Sequence, residues 1–198
     1  VFTSDLTGAM QAAADDSGRT RNPLEADMSM TQVSGNPATT EPGGTPVPLR
    51  LEVVTLPVAD VERSKTFYQR LGWRLDADIS VGEDFRVVQF TPPQSQASIH
   101  FGVGLTTAEP GSVARLYLAV DDVEAARADL ISRGADVSEV FHYDRGPGHS
   151  GEFDSRVTGP DTEHGGSYFT YASFDDPDGN GWLLQQITGR LPGRVWQD

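Results

Sequence analysis

Leu56-Pro57-Val58-Ala59-Asp60-Val61-Glu62-Arg63-Ser64 and Leu118-Ala119-Val120-Asp121-Asp122-Val123-Glu124-Ala125-Ala126 lie 62 residues apart, and laying one on the other decides the fold. Leu56, Val58, Asp60, Val61, Glu62 and Gly72 fall without a gap on Leu118, Val120, Asp122, Val123, Glu124 and Gly134, six identities in the 17 positions 56–72. Self-similarity at a fixed offset marks an internal duplication. Each copy holds an apolar strand, an Asp suited to cap a helix, about ten residues of helical character, and a Gly where helices stop. Val61, Ser64, Phe67, Tyr68 and Leu71 recur at helical spacing, as do Val123, Ala126, Leu130 and Ile131, so each helix has one face to bury.

Working outward, residues 73–76, 85–90 and 97–103 follow the first helix as β-rich segments separated by turn residues, and 136–141, 168–174 and 182–187 follow the second. The expected class is α+β: two βαβββ modules, 49–104 and 114–188, pairing into a curved mixed sheet around a cleft. A sheet with one helix leaves its other face uncovered, and two such faces together can enclose a ligand.

Before the repeat, residues 1–48 are polar and punctuated by Gly, Pro, Ser and Thr. Such a segment buries too little apolar area to offset its ordering entropy and is expected to be a disordered tail, with residues 189–198 a second tail. The chain has 198 residues, a net charge of −14 and no cysteine. Disulfides, thiolate metal sites and a Cys nucleophile are excluded, and the charge argues against nucleic-acid and membrane partners. Neither a long apolar span nor a secretory leader is read in the sequence, so a cytoplasmic protein with a small-molecule partner is expected.

The pairing of βαβββ units, together with Phe67-Tyr68, Leu71-Gly72-Trp73 and Asp176-Pro177-Asp178-Gly179-Asn180, resembles the glyoxalase, bleomycin-resistance and extradiol-dioxygenase superfamily, the vicinal-oxygen-chelate class, over residues 49–188. The resemblance implies a homodimer. It also implies up to four metal ligands on the first and last strand of each module. Those positions hold Val53, Arg115, His100 and Leu183, of which His100 alone could bind a divalent ion. Glu52 and Gln186 next to them restore no convincing set. The reading is therefore no metal and no cofactor, and a bleomycin-resistance-like protein that binds a small organic molecule in a metal-free cleft. The alternative is a lyase, isomerase or epimerase with glyoxalase-like proton transfer, using a divalent metal such as Zn, Ni, Fe or Mn in a nonstandard site of His100, His142 or His149 with a loop carboxylate.

His100 is the candidate acid or base, and Arg115 the candidate anchor for a carboxylate, enolate or phenolate. Tyr117, two strand positions beyond Arg115, is expected on the same face as a ligand-binding residue. The last candidates come from the 26-residue insertion 142–167, far longer than ordinary connections and read as a lid over the cleft. His142, His149 and Arg156 are its side chains expected to reach a ligand. The Asp176-to-Asn180 stretch reads as a hairpin turn rather than a calcium loop, because it lacks the twelve-residue register and terminal Glu.

Overall fold

The structure, a computed structural model, describes residues 47–144 and 155–191. The expectations for the tail up to residue 46, for the segment beyond 191 and for His149 lie outside the described residues. Among the described residues the element order is β1 (Val53–Thr55), α1 (Val61–Arg70), β2 (Arg74–Val81), β3 (Phe85–Thr91), β4 (Ser98–Val103), β5 (Leu116–Val120), α2 (Val123–Ser132), β6 (Phe141–Tyr143), β7 (Arg156–Thr158), β8 (Tyr171–Asp175) and β9 (Gly181–Gln186). The class is α+β, and the βαβββ order occurs twice, with β7 added from within the insertion.

Both helices begin where the repeat places them, and for the same reason. The Asp60 carboxylate accepts the N–H of Arg63 and the Asp122 carboxylate that of Ala125, each at 3.0 Å, so one otherwise unpaired donor at each N-terminus is satisfied. Gly72 and Gly134 follow with φ of 79° and 86°, the left-handed backbone that glycine adopts without steric cost. The two helix ends also abut: a Cβ on Gly72 would meet the Arg133 guanidinium at 2.6 Å, and Arg70 donates to the Gly134 carbonyl at 3.0 Å.

The strands form two open mixed sheets, ordered β1-β4-β3-β2 and β5-β9-β8-β6-β7. Parallel pairing occurs at the corresponding place in each, β1 with β4 and β5 with β9. The registers match as well, since Thr55 lies opposite His100 and Tyr117, its counterpart in the repeat, lies opposite Leu183. The segment 136–141, expected as one strand, makes only a single bridge at Val137 before β6 begins. There the Ser138 hydroxyl accepts the Ser173 N–H at 2.9 Å, a side-chain bond that replaces a ladder bond.

The helix-bearing faces of both sheets share one core. Leu56, Tyr68, Phe90 and Phe101 of the first module pack in a continuous cluster with Val123, Phe174, Trp182 and Leu184 of the second. Aromatic side chains supply much of that buried area, with Trp73 and Trp182 meeting edge to face at 5.0 Å. The β8–β9 turn fastens the modules further. Buried Asp176 accepts hydrogen bonds from the Tyr68 hydroxyl at 2.9 Å, the Asn180 amide at 2.8 Å and the N–H groups of Asp178 and Asn180. Asp178 in turn accepts from Ala59 N–H and from the Ser64 hydroxyl at the start of α1. Because strand residues alternate between faces, the side chains opposite those in the core point away from it, on both sheets. No helix of the described residues is long and apolar enough to cross a membrane.

Candidate functional site

On the second sheet, Ala172, Phe174, Trp182 and Leu184 enter the shared core. Alternation therefore sends Tyr171, Ser173 and Asp175 of β8 and Leu183 and Gln185 of β9 to the helix-free face. Phe141 pairs with Tyr171 across the β6–β8 ladder and joins them, and Tyr143 stands two residues on. Phe141, Tyr143, Tyr171 and Leu183 make a small apolar cluster of their own. The Phe141 and Tyr171 rings stack at 5.8 Å and Tyr143 lies 5.4 Å from Tyr171. The Tyr171 hydroxyl donates to the Tyr168 carbonyl, which also accepts from the Gln185 amide at 2.9 Å. Burial pushes the Tyr171 phenol up to about 12, so it stays protonated at neutral pH.

At one end of this face the chain gathers two cations. Arg156 on β7 lays its guanidinium 4.2 Å from the centroid of the Phe141 ring, within cation–π range, and reaches the Ser173 hydroxyl at 3.4 Å. Arg115, expected within the strand, immediately precedes β5 and holds a left-handed backbone at φ 67°. Few non-glycine residues adopt that conformation, and it costs on the order of 1 kcal/mol. Both arginines line a cavity of about 340 Å³ together with Ser173, Asp175, Trp182 and Leu183. That volume falls at the lower end of the range for small-molecule pockets, roughly 300–1,000 Å³. Burial, and then the neighbouring Asp176 charge, raise the Asp175 carboxyl above its usual range, with Arg156 acting against them.

The structure brings Arg115 and Arg156 together, with Tyr117 half exposed on the first strand of the same sheet. It separates the others. His100 lies on β4 of the first sheet, its Nε2 2.6 Å from the Thr55 hydroxyl, so the pair read as His100 with Arg115 does not share the cavity. Burial lowers the His100 pKa, leaving the ring neutral at physiological pH. His142 sits between Phe141 and Tyr143 on β6, hence on the opposite face, where its Nδ1 meets the Gly159 carbonyl at 2.9 Å. Of the insertion's other described groups, His164 pairs with Asp161 at 2.8 Å and stacks on Phe169 at 4.6 Å, pinning the loop to itself.

The metal positions of the resembled family do not fit a divalent ion in this chain. Val53 and Leu183 carry no donor atom, and Arg115 brings a fixed positive charge. Among the described residues no group of three His, Asp or Glu side chains is placed to hold a metal. Ser173 and Asp175 line the cavity and Tyr143 and Tyr171 lie on the same face of the sheet, four residues that sequence reading did not single out. The alternation of Tyr171, Ser173 and Asp175 against Ala172 and Phe174 was the signal available for three of them.

A family model described as the Glyoxalase/Bleomycin resistance protein/Dioxygenase superfamily matches residues 50–184. Among solved structures, TnmS3, an antibiotic binding protein from Streptomyces sp. CB03234, is 29% identical with a TM-score of 0.53, covering 72% of this chain and 99% of that one. A glyoxalase/bleomycin resistance protein from the same Streptomyces is 30% identical with a TM-score of 0.49, covering 69% and 100%. A member of the superfamily from Sphaerobacter thermophilus DSM 20745 is 22% identical with a TM-score of 0.51, covering 70% and 97%. No curated protein matches the chain.

Proposed function

We propose, since this chain belongs to the Glyoxalase/Bleomycin resistance protein/Dioxygenase superfamily, that it binds a small organic molecule on the helix-free face of its second sheet and releases it chemically unchanged. The observation that carries this reading is the cavity of about 340 Å³ at the end of that face, where Leu183 adjoins the polar groups of Arg115, Arg156, Ser173 and Asp175. Mostly apolar walls with a few convergent polar groups are what small-ligand sites use for affinity and orientation. The likeness to TnmS3, an antibiotic binding protein nearly all of whose length is covered, supports the same reading. Binding needs no metal, which agrees with donor-free side chains at Val53 and Leu183.

A second copy of the chain belongs to this proposal. What supports it is that the helix-bearing faces of both sheets turn toward one core, so one copy does not set its two helix-free faces opposite each other. The first sheet carries exposed Ile79, Val81 and Phe85 on its helix-free face. Covering them with another copy would remove apolar surface from water and close a cleft.

The catalytic alternative, a lyase, isomerase or epimerase, is favoured by one observation: His100 is held neutral beside Thr55, the state a general base requires. Native mass spectrometry separates the two. The protein is incubated with bleomycin and with naphthalene-sized acids, amides and amines. A saturable complex from which the ligand is recovered at its original mass is the expected result. Product formation that is lost in His100→Gln would favour the enzyme, and no complex with any of these compounds would overturn the binding reading.

A further inference from the structure

Three of the chain's five tyrosines, Tyr68, Tyr143 and Tyr171, are buried, at 0%, 6% and 2% exposure. A buried phenol ordinarily finds a hydrogen-bond partner, because an O–H group withdrawn from water without one carries the full cost of its desolvation. Tyr68 donates to the Asp176 carboxylate and Tyr171 to the Tyr168 carbonyl. Tyr143 is the exception. Among the described residues its side chain makes ring contacts alone, edge to face with Phe141 at 5.5 Å and tilted against Tyr171 at 5.4 Å, and its hydroxyl meets no donor or acceptor. The hydroxyl is not sealed in the interior, so a molecule from outside can reach it. Resting on the binding reading above, we propose that Tyr143 is a specificity-determining residue of the site, its hydroxyl donating to an uncharged carbonyl oxygen of the bound molecule, that of a ketone, ester or amide.

The position of Tyr143 ties it to the cavity. It lies opposite Arg156 in the β6–β7 register, so the two side chains stand next to each other on one face, and Arg156 lines the cavity. Phe141, against which Tyr143 packs, carries the Arg156 guanidinium over its ring. Burial is the main cause of the raised Tyr171 pKa, and the neighbouring phenols of Tyr117 and Tyr143 add to it, which gathers three phenols on the same face. Tyr117 is half exposed and lies opposite Leu183, leaving aromatic surface for the rest of a ligand. A phenol can both donate and accept, but its donor is the costlier half to leave unmet. The carbonyl that serves Tyr171, that of Tyr168, already takes a second bond from the Gln185 amide. An acceptor from the ligand meets the donor of Tyr143. Phe141, Tyr171 and Leu183 make the surroundings of Tyr143 apolar, and there a carbonyl loses far less hydration than a carboxylate would.

The test starts from Tyr143→Phe, which removes the hydroxyl and keeps the ring. With no bond to lose, the unliganded variant should unfold in urea at a midpoint no lower than the parent protein's, whereas Tyr171→Phe, which abandons a carbonyl, should unfold earlier. Binding is read by equilibrium dialysis at pH 7.5 on the full chain with 2-acetylnaphthalene, with 2-isopropenylnaphthalene, in which a methylene replaces the carbonyl oxygen, and with bleomycin. The ketone is expected to bind about fivefold tighter than the alkene, and Tyr143→Phe should cost the ketone about fivefold while leaving the alkene within about twofold. Equal affinity for ketone and alkene in the parent protein is the result expected if water alone satisfies the hydroxyl, and it would overturn the proposal while leaving the binding reading standing. Equal loss of both compounds in Tyr143→Phe would do the same, as would binding of bleomycin with neither naphthalene compound. A fall in the Tyr143→Phe midpoint as large as that of Tyr171→Phe would give the hydroxyl a structural partner and overturn the proposal from the other side. Failure of all three compounds to bind would remove the binding reading and this inference together.

Discussion

Asp78 on β2 holds a carboxylate between three basic nitrogens, Arg86 Nε at 2.9 Å, Arg86 Nη2 at 3.0 Å and Lys65 Nζ at 2.6 Å. Arg86 also reaches Glu62 at 2.6 Å, so one network ties α1 to β2 and β3. The hydrogen bonds from Arg86, then from Lys65, hold the Asp78 carboxyl at about 2 against an ordinary 3.8. A carboxylate depressed on folding stabilises the fold above its unfolded pKa and loses that contribution as the pH falls through its folded pKa. Asp78→Asn should therefore lower stability at pH 7, on the order of 1 kcal/mol once solvent screening is allowed for. The gap to the parent protein should narrow between about pH 4 and pH 2, read by urea unfolding at each pH. A gap that persists at pH 2 would mean the side chain acts through packing. At this scale the sequence was legible where the interaction is local. Asp60 and Asp122 could be named as caps because their partners are three residues away, whereas Asp78 and Arg86 meet only after two strands are paired.

The turn between β8 and β9 is the element on which the two modules depend. Its sequence, Asp176-Pro177-Asp178-Gly179-Asn180, reads as a hairpin and forms one, but its side chains do most of their bonding outside the hairpin. Asn180 donates to the Pro57 carbonyl at 3.0 Å, and Asp176 accepts from Tyr68 on α1, whose phenol is kept protonated by burial and by that carboxylate. Asp176→Ala would leave the buried Tyr68 hydroxyl without its acceptor and the turn without three internal bonds. The expected cost is about 3 kcal/mol, measured by chemical denaturation, well above that of an ordinary turn substitution. A loss below about 1 kcal/mol would show that the shared aromatic core alone joins the modules. The insertion teaches a related lesson: residues 156–158 extend the second sheet as β7, although nothing in their composition separated them from the surrounding turn residues, because a three-residue edge strand is defined by the partner it finds.

At the scale of the whole molecule, the two sheets present helix-free faces that one copy does not bring together, and the prediction is a dimer. Sedimentation or light scattering at micromolar concentration should give twice the mass of one chain, and Ile79→Glu with Phe85→Glu should shift the species toward monomer while circular dichroism stays unchanged. A monomer at concentrations where the ligand is bound would sink the second-copy part of the proposal and leave the cavity beside Arg115 as a site within one chain. The duplication, the α+β class, the start and end of both helices and the family were determined by the sequence alone, because each rests on short-range periodicity, on caps or on identity between two segments of the same chain. Tertiary structure alone decided which candidate side chains meet. The turn at Ser138 and the register of β6 put His142 on the far face and Tyr143 on the near one, since a one-residue change of register exchanges the faces of a strand. The closure of β5 against β9 carried Arg115 to Arg156 rather than to His100, because Arg115 precedes a strand of the second sheet while His100 lies in the first, and sequence distance says nothing about which sheet a strand will join.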